Sequence, residues 1–504
     1  MQLPHTVLRA ANAWFQAANV ATANYATLTA GGARLICAHG AQQHITDYAI
    51  PMLEGRYFGT MCLSEPQAGS SLADIATKAV RQHDGTYRLF GRKMWISGGD
   101  HQLGDNIVHL VLAKCPGGPP GVRGISLFIV PKYIAVQGHS STGAEHNDVV
   151  QMGLNHKMGQ RGTTNALLAF GDGVHLPGGH PGAVGYLLGE EHRGLSHMFH
   201  MMNEARIAVG FGAAALGYVA YLKSVEYAKV RTQGRLPGTK EGTTPPVALI
   251  AHADIRRMLL AQKCYVQGAL ALLLFCSRLV DEQATADDHM AATEAGLLLE
   301  VLTPIAKSWP AKWCLEANNL AIQIHGGYGY TRDYDVEQHY RDNRLNPIHE
   351  GTEGVQGLDL LGRKVTMNDG AALRLLDARI RESVARAASL GGEPATLAAQ
   401  LLSAWARVLE VTHQLTSCGD AATRLANSTI YLEAFGHIVV AWIWLEQLAV
   451  LETRRVEGAD EPFYRGKRQA ARYFYIYELP KVAAQLELLG LLDRTALDMD
   501  PAWF

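Results

Sequence analysis

The sequence predicts an α+β protein, mostly α, in which a block of short strands interrupts long helices. Ala/Leu-rich stretches over 190–231, 246–283 and 287–325 exceed the usual globular helix and are dense in strong helix formers. Between about 57 and 182 the texture changes to β-favouring runs, YRLF, NIVHLVLA, ISLFIV and ALLAF, separated by Gly, Pro, Asn and Asp. At 504 residues the chain exceeds one ordinary core, so several domains are expected.

Taken in order, residues 1–56 read as an N-terminal helical domain, because AANAWFQAANVATANYA carries apolar residues at three and four spacing and Pro51 ends the segment. Residues 57–182 form the β domain. Residues 183–366 hold the long helices, whose apolar faces predict a bundle. A hinge at MNDGAA then leads to a further helical domain over 367–504, with a loop expected at RRVEGADEPFYRG.

Composition narrows the function. Lys plus Arg is 45 against 47 Asp plus Glu, which gives no general drive toward nucleic acid or anionic membrane. The seven cysteines are scattered and never spaced as CxxC, so neither a disulfide framework nor a zinc site is expected. With no basic-then-apolar leader and no charge-free run of about 18 apolar residues, the expectation is a cytoplasmic protein off the membrane. His39 with His44 and His197 with His200 have helical spacing but no third ligand nearby, so capping or solvated histidines are the simpler reading.

Four segments carry chemistry. GTMCLSEPQAGSS at 59–71 joins small residues, which let backbone approach a flat or phosphorylated ligand, to the donors Ser64 and Ser70. GRKMWISGG at 91–99 reads as a strand with Trp95 and Ser97 on one face, an indole to lie on an aromatic ring and a hydroxyl to bond its edge. Within 201–235, Arg206 on a helix suits an anionic or carbonyl-bearing ligand, and Arg231 with Arg235 suits a pyrophosphate. The fourth, QIHGGYGYTRDYDVEQHYRDNRLNPIHEGTEGVQ at 323–356, combines a glycine turn with Glu350 at the head of EGT. A lone carboxylate is ordinarily a solvated surface group, but Glu350 stands inside a fixed arrangement.

Together these segments resemble the acyl-CoA dehydrogenase family, whose patterns run C-x-T/S-E-P-x-A-G-S, K-x-W-I-T/S, and Q-I-x-G-G-x-G-[YF] followed by R-D and I-[YH]-E-G-T. Three departures are Ser71, where the family usually has Asp, Asn203, where relatives often carry Asp, and His349, where the family usually has Tyr. The C-terminal segments resemble the extra helical domain of the larger bacterial-type branch, which includes long-chain acyl-CoA and methylthiopropionyl-CoA dehydrogenases. The resemblance implies that family's fold: a helical N-terminal part, here apparently truncated, a β-barrel-like middle domain, a four-helix bundle and an extra C-terminal helical domain.

It also implies FAD as cofactor, contacted by Cys62, Ser64, Ser70, Trp95, Ile96, Ser97, Arg231, Thr232, Gln323, Gly326, Gly327 and Thr352. Ser70, Asn203, Arg206 and Gly351 would face the acyl-CoA substrate, and Glu350 would remove its α-proton. The backbone N–H of Glu350 and a ribityl hydroxyl would receive the enolate oxygen while flavin N5 takes the β-hydride. An electron-transfer flavoprotein as acceptor and a homodimer or higher assembly, with Arg231 reaching a neighbour's FAD, are further implications.

Two alternatives share this fold. One is an acyl-CoA oxidase; the other is a flavin-bearing, DNA-associated stress protein, which would use the basic cluster Arg454, Arg455, Arg465, Lys467, Arg468 and Arg472.

Overall fold

A computed structural model of the chain describes residues 3–134, 144–239, 244–453 and 461–504, excepting the side chains of 199–202. It separates into two compact units, one of residues 18–205 and one of residues up to 17 joined to 206–504.

The first helix, α1 (His5–His39), is two helices in sequence. At Asn19 the backbone is extended (φ −162°, ψ 97°), and the Asn19 side chain accepts from the Thr22 N–H at 3.0 Å. It therefore caps the second piece. The break falls beside the unit boundary, so 1–56 is not one N-terminal domain. Residues before it belong with the helices, where Thr6 bonds Asp281 through its N–H and its hydroxyl at 2.9 and 2.7 Å. Residues after it, with the short helices α2 (Gln42–His44) and α3 (Ile50–Leu53), belong with the strands.

That strand unit contains, among the described residues, β1 (Tyr57–Cys62), β2 (Lys78–Arg81), β3 (Tyr87–Ser97), β4 (Asn106–Lys114), β5 (Ile125–Pro131), β6 (Tyr133–Ile134), β7 (Glu145–His146), β8 (Val149–Leu154), β9 (Asn165–Phe170) and β10 (Ala183–Leu187). The main sheet runs β1-β4-β5-β10-β3-β9-β8. Because β2 pairs with both β3 and β4, the strands β4, β5, β10, β3 and β2 close a ring, the barrel-like core that the sequence implied. β4 and β5 are apolar without alternation because both faces are covered. Val108, Leu110 and Leu112 face Leu35 and Ile36 of α1, whereas Val111 and Ala113 join Phe128 and Phe170.

The helical unit is built on α4 (Gly194–Val230), α5 (Ala253–Thr285) and α6 (His289–His325), close to the ranges read from composition. Asp288 caps α6 by accepting from the Met290 N–H at 3.0 Å. The chain continues through α7 (Val336–Asn343), α8 (Glu353–Asp359), α9 (Met367–Ser389), α10 (Gly392–Ser417), α11 (Ala421–Leu425), α12 (Ser428–Thr453), α13 (Glu461–Tyr473) and α14 (Val482–Gly490). MNDGAA does break the path: Asn368, Asp369 and Gly370 are all left-handed. It does not divide the core, because one apolar cluster runs from Ile207 to Leu489. EPFYRG, expected in a loop, begins α13, whose Ala470, Ala471 and Tyr473 are buried; residues 454–460 of that expected loop lie outside the described residues.

Three helices, α4, α5 and α12, are long and apolar enough by length and composition to cross a membrane, and in each most of that apolar stretch is buried within the protein. α12 is the extreme case. Its Phe435 is fully buried against Trp405 (centroids 5.5 Å) and Tyr431 (5.7 Å). Phe435→Ala should cost about 3–5 kcal/mol, read as a lowered midpoint in denaturant melts.

Candidate active site

In the strand unit, the two segments expected at the flavin are tied together. The Met94 N–H donates to the Ser64 carbonyl at 3.0 Å. Beneath that bond lies a buried ion pair, Lys93 Nζ to Glu65 Oε1 at 2.8 Å, with Lys93 donating also to the Leu63 carbonyl at 3.0 Å. Glu65 accepts from Gln67, the Ala76 N–H and the Thr77 N–H and hydroxyl as well. Burial pushes its carboxyl up, but the Lys93 charge and these donors outweigh burial and hold it down to about 2. Burial pulls the Lys93 ammonium down, so its charge depends on that carboxylate.

Trp95 does not sit in an unbroken strand. The pairing of β3 with β9 shifts register between Lys93 and Ile96, and Trp95 takes φ 66°, which is strained for an indole-bearing residue. The extra residue lets Lys93 and Ile96 both point inward and leaves Trp95 59% exposed. A large apolar ring held outward by a strained backbone fits a planar cofactor. Ser97 is half-buried, its hydroxyl accepting from Asn165 at 3.2 Å, and Ser70 is exposed. The Cys62 side chain is fully buried and burial pushes the thiol up to about 12, so a cofactor would meet this residue through its backbone.

The helical unit gathers the remaining residues in two places. Where α4 and α6 end, Arg231 lies over the Tyr328 ring at 5.7 Å, and Tyr227 stacks on His325 at 4.2 Å. Thr232, Gln323, Gly326 and Gly327 are exposed there. Gly326 caps α6 at φ 61°, with its N–H on the Gln323 carbonyl, and a Cβ at Gly326 or Gly327 would meet nothing within 4 Å. An open glycine turn beside a stacked guanidinium suits a diphosphate and its adenosine.

The second place is the Glu350 turn. Glu350 and Gly351 are both left-handed, at φ 53° and 90°, and a Cβ on Gly351 would lie 2.5 Å from Gln356 Nε2. Thr352 caps α8, accepting from the Val355 N–H at 3.3 Å. Glu353 therefore opens that helix, half-buried at its N-terminus. Gln356 donates to the Glu350 carbonyl at 3.0 Å and Lys307 of α6 to the Gly351 carbonyl at 2.6 Å. Among the described residues no acceptor takes the Glu350 N–H.

Upstream, buried amides form a ladder. Asn318 donates to the Leu216 carbonyl (3.1 Å), Asn343 to Asn318 (2.6 Å), Asn346 to Asn343 (2.8 Å), and the His349 ring bonds Asn346 Oδ1 at 3.0 Å. That order makes His349 a donor through Nε2. Burial, then the nearby Lys307 charge, pull its pKa down to about 3, so the ring is neutral.

Burial raises the Glu350 carboxyl above the ordinary carboxylate range, opposed by the charges of Arg206 and Lys307. Arg206 is buried and pairs with Asp359 at 3.0 Å, while its Nε finds no acceptor among the described residues. Asn203 is three residues earlier on α4. A carboxylate of raised basicity, with an unspent N–H on its own backbone and a spare buried guanidinium donor, can take a proton from carbon.

Sequence reasoning missed Glu65, Lys93, Lys307, Gln356 and the asparagine ladder. Charged residues inside apolar stretches, RKMWIS for Lys93 and TPIAKSW for Lys307, are the signal that would have drawn notice to two of them. Lys93→Met should cost about 3–5 kcal/mol by leaving Glu65 buried without its cation. The same variant should lower bound flavin per chain, measured by absorbance at purification.

Comparison with known proteins agrees with this geometry. Three family descriptions cover the chain: "Acyl-CoA dehydrogenase, middle domain" matches residues 60–172, "Acyl-CoA dehydrogenase, C-terminal domain" 192–365, and "Acetyl-CoA dehydrogenase C-terminal like" 376–500. The chain is 36% identical over 495 residues to the 3-methylmercaptopropionyl-CoA dehydrogenase of Ruegeria pomeroyi, covering 96% of this chain and 80% of that protein. It is 33% identical over 520 residues to the broad-specificity linear acyl-CoA dehydrogenase FadE5 of Mycobacterium tuberculosis, covering 100% of this chain and 83% of that one. The fold matches that of an acyl-CoA dehydrogenase complexed with FAD from Bacillus anthracis, with TM-score 0.76, 20% identity, and 97% of this chain and 78% of that one covered. The family descriptions and the similarity over nearly the whole chain show that it belongs to the acyl-CoA dehydrogenase family, as an FAD-dependent oxidoreductase acting on acyl-CoA.

Proposed function

We propose that Glu350 is the base that removes the α-proton of the acyl thioester, giving the trans-2-enoyl-CoA. The supporting observation is its setting: a carboxyl made more basic by burial, on a turn pinned at two consecutive carbonyls. An α-proton is weakly acidic, so the base must be strong and the developing oxyanion must meet a donor. The Glu350 N–H is the donor this chain would offer. Arg206, with one N–H unspent, would orient the substrate from α4. Bound FAD supplies the acceptor for the β-hydride. Trp95, Ser64, Ser70, Ser97, Ile96 and the backbone of Cys62 would hold its ring, and Arg231, Thr232, Gln323, Gly326 and Gly327 its diphosphate and adenosine, with Thr352 nearer the base.

A straight-chain acyl-CoA processed in β-oxidation, with electrons passed to an electron-transfer flavoprotein, fits the names of the relatives better than oxygen as acceptor. Cytoplasmic location is part of the same reading. The DNA-associated alternative loses its basic face: Arg465 pairs with Glu461 (2.6 Å), Arg468 with Glu452 (2.8 Å) and Arg472 with Glu393 (3.6 Å), while Lys467 bonds Gln447 (3.0 Å). Arg454 and Arg455 lie outside the described residues.

Glu350→Gln should keep flavin and acyl-CoA binding while slowing flavin reduction by about 10²- to 10⁴-fold in anaerobic stopped flow. Reduction at the parental rate would place the base elsewhere. A dimer is also expected, with Arg231 reaching the neighbour's FAD; a flavin-loaded monomer in sedimentation would contradict it.

A further inference from the structure

Lys307 is one of two donors to the Glu350–Gly351 turn, and it carries a charge that such a hydrogen bond does not require. It is fully buried in α6, and the acceptor it meets among the described residues is one neutral group, the Gly351 carbonyl at 2.6 Å. An ammonium so placed is costly: desolvation takes several kcal/mol and one neutral carbonyl returns little. Packing does not explain it, since an uncharged side chain of similar length would fill the same space. Its position does. The Glu350–Gly351 turn is left-handed at both residues, and its two carbonyls are held by two separate side chains, Gln356 from α8 on Glu350 and Lys307 from α6 on Gly351.

Resting on the reading of Glu350 as base, we propose that Lys307 is a positioning residue for it: its ammonium anchors the Gly351 carbonyl and so fixes the strained turn, and it places a buried positive charge next to that turn. Gln356 shares the first task but not the second. The charged groups facing this pair come from each adjoining element. Arg206 on α4 acts on both Glu350 and Lys307, and is itself paired with Asp359, which also holds Arg363 at 2.7 Å. Glu353 on α8 acts on Lys307, and His349, on the turn, is neutral. Lys364, paired with Glu300, feels the Arg206 charge.

The sign follows. Lys307⁺ favours the ionised carboxylate, so removing that charge raises the pKa of Glu350 and moves the rise of rate with pH upward. Burial pulls the Lys307 pKa down to about 8, with Glu353 and Glu350 raising it and Arg206 lowering it. The effect is therefore largest below about pH 8 and closes above it.

The test is anaerobic flavin reduction by acyl-CoA, followed from pH 5.5 to 9.5 for the FAD-loaded parent, Lys307→Gln, Gln356→Met and Glu350→Gln, after checking flavin content and melting midpoint. Lys307→Gln should shift the half-maximal pH upward, with a rate about tenfold or more below the parent at the acid end. Gln356→Met should lower the rate by about 10- to 100-fold at every pH, without moving the midpoint. If Lys307→Gln does not fold, Lys307→Arg serves: retained charge should leave the midpoint in place, while altered geometry lowers the limiting rate. An unmoved midpoint in Lys307→Gln, or a parental limiting rate in Lys307→Arg, overturns the proposal. Glu350→Gln separates the two readings. If it is inert while Lys307→Gln titrates as the parent, only the role of Lys307 fails; if it is reduced at the parental rate, the reading of the base fails with it.

Discussion

A non-glycine residue in the left-handed region followed by a left-handed glycine stays folded that way only if its surroundings hold it. Glu350 and Gly351 impose this constraint on the helical unit. The two pinned carbonyls, the cap at Thr352 and the amide ladder ending at His349 all bear on the same few residues. The cap at Thr352 is local, but local propensity does not place the other groups. Lys307 arrives on α6 and Gln356 on α8, and the ladder joins α6 to α4 and to α7, so the turn exists because these helices pack together. The extended apolar cluster reaching to α14 is what makes so polar a patch tolerable, because it fixes the helices that satisfy it.

The strand unit meets a similar demand with other means. Its exposed Trp95 is held outward by a bulge, and the loop bearing Ser64 is held to the same strand by a buried ion pair. In both units a candidate site residue sits at a strained backbone position, with charges buried close beneath it. Such pairs add little net stability over apolar packing, but breaking one is expensive. Their effect is to give each loop one geometry.

Much of this was legible in the sequence because it is periodic or compositional. The three long helices came within seven residues of their observed ends, and the apolar runs NIVHLVLA and ISLFIV became the strands buried on both faces. The four segments singled out for chemistry contain the turn, the bulge and the glycine cap described above. What was not legible depends on contacts distant in the chain. Asn19 reads as one more residue in an Ala-rich helix, yet its side chain ends one helix and starts another. EPFYRG has the Gly and charge of a loop, but buried alanines further along draw it into α13. Lys307 stands out in the sequence as a charge inside TPIAKSW, but its acceptor, the Gly351 carbonyl, lies more than forty positions away and is not legible there.

The most direct test of α-proton removal by Glu350 does not depend on electrons leaving the protein. FAD-loaded protein and a graded series of straight-chain acyl-CoAs would be incubated anaerobically in D2O, and deuterium at Cα followed by mass spectrometry. Deuterium entering at Cα with the parent, and failing to enter with Glu350→Gln of equal flavin content, is the predicted result. Equal incorporation by both proteins would contradict it, because the proton would then be leaving to some other group.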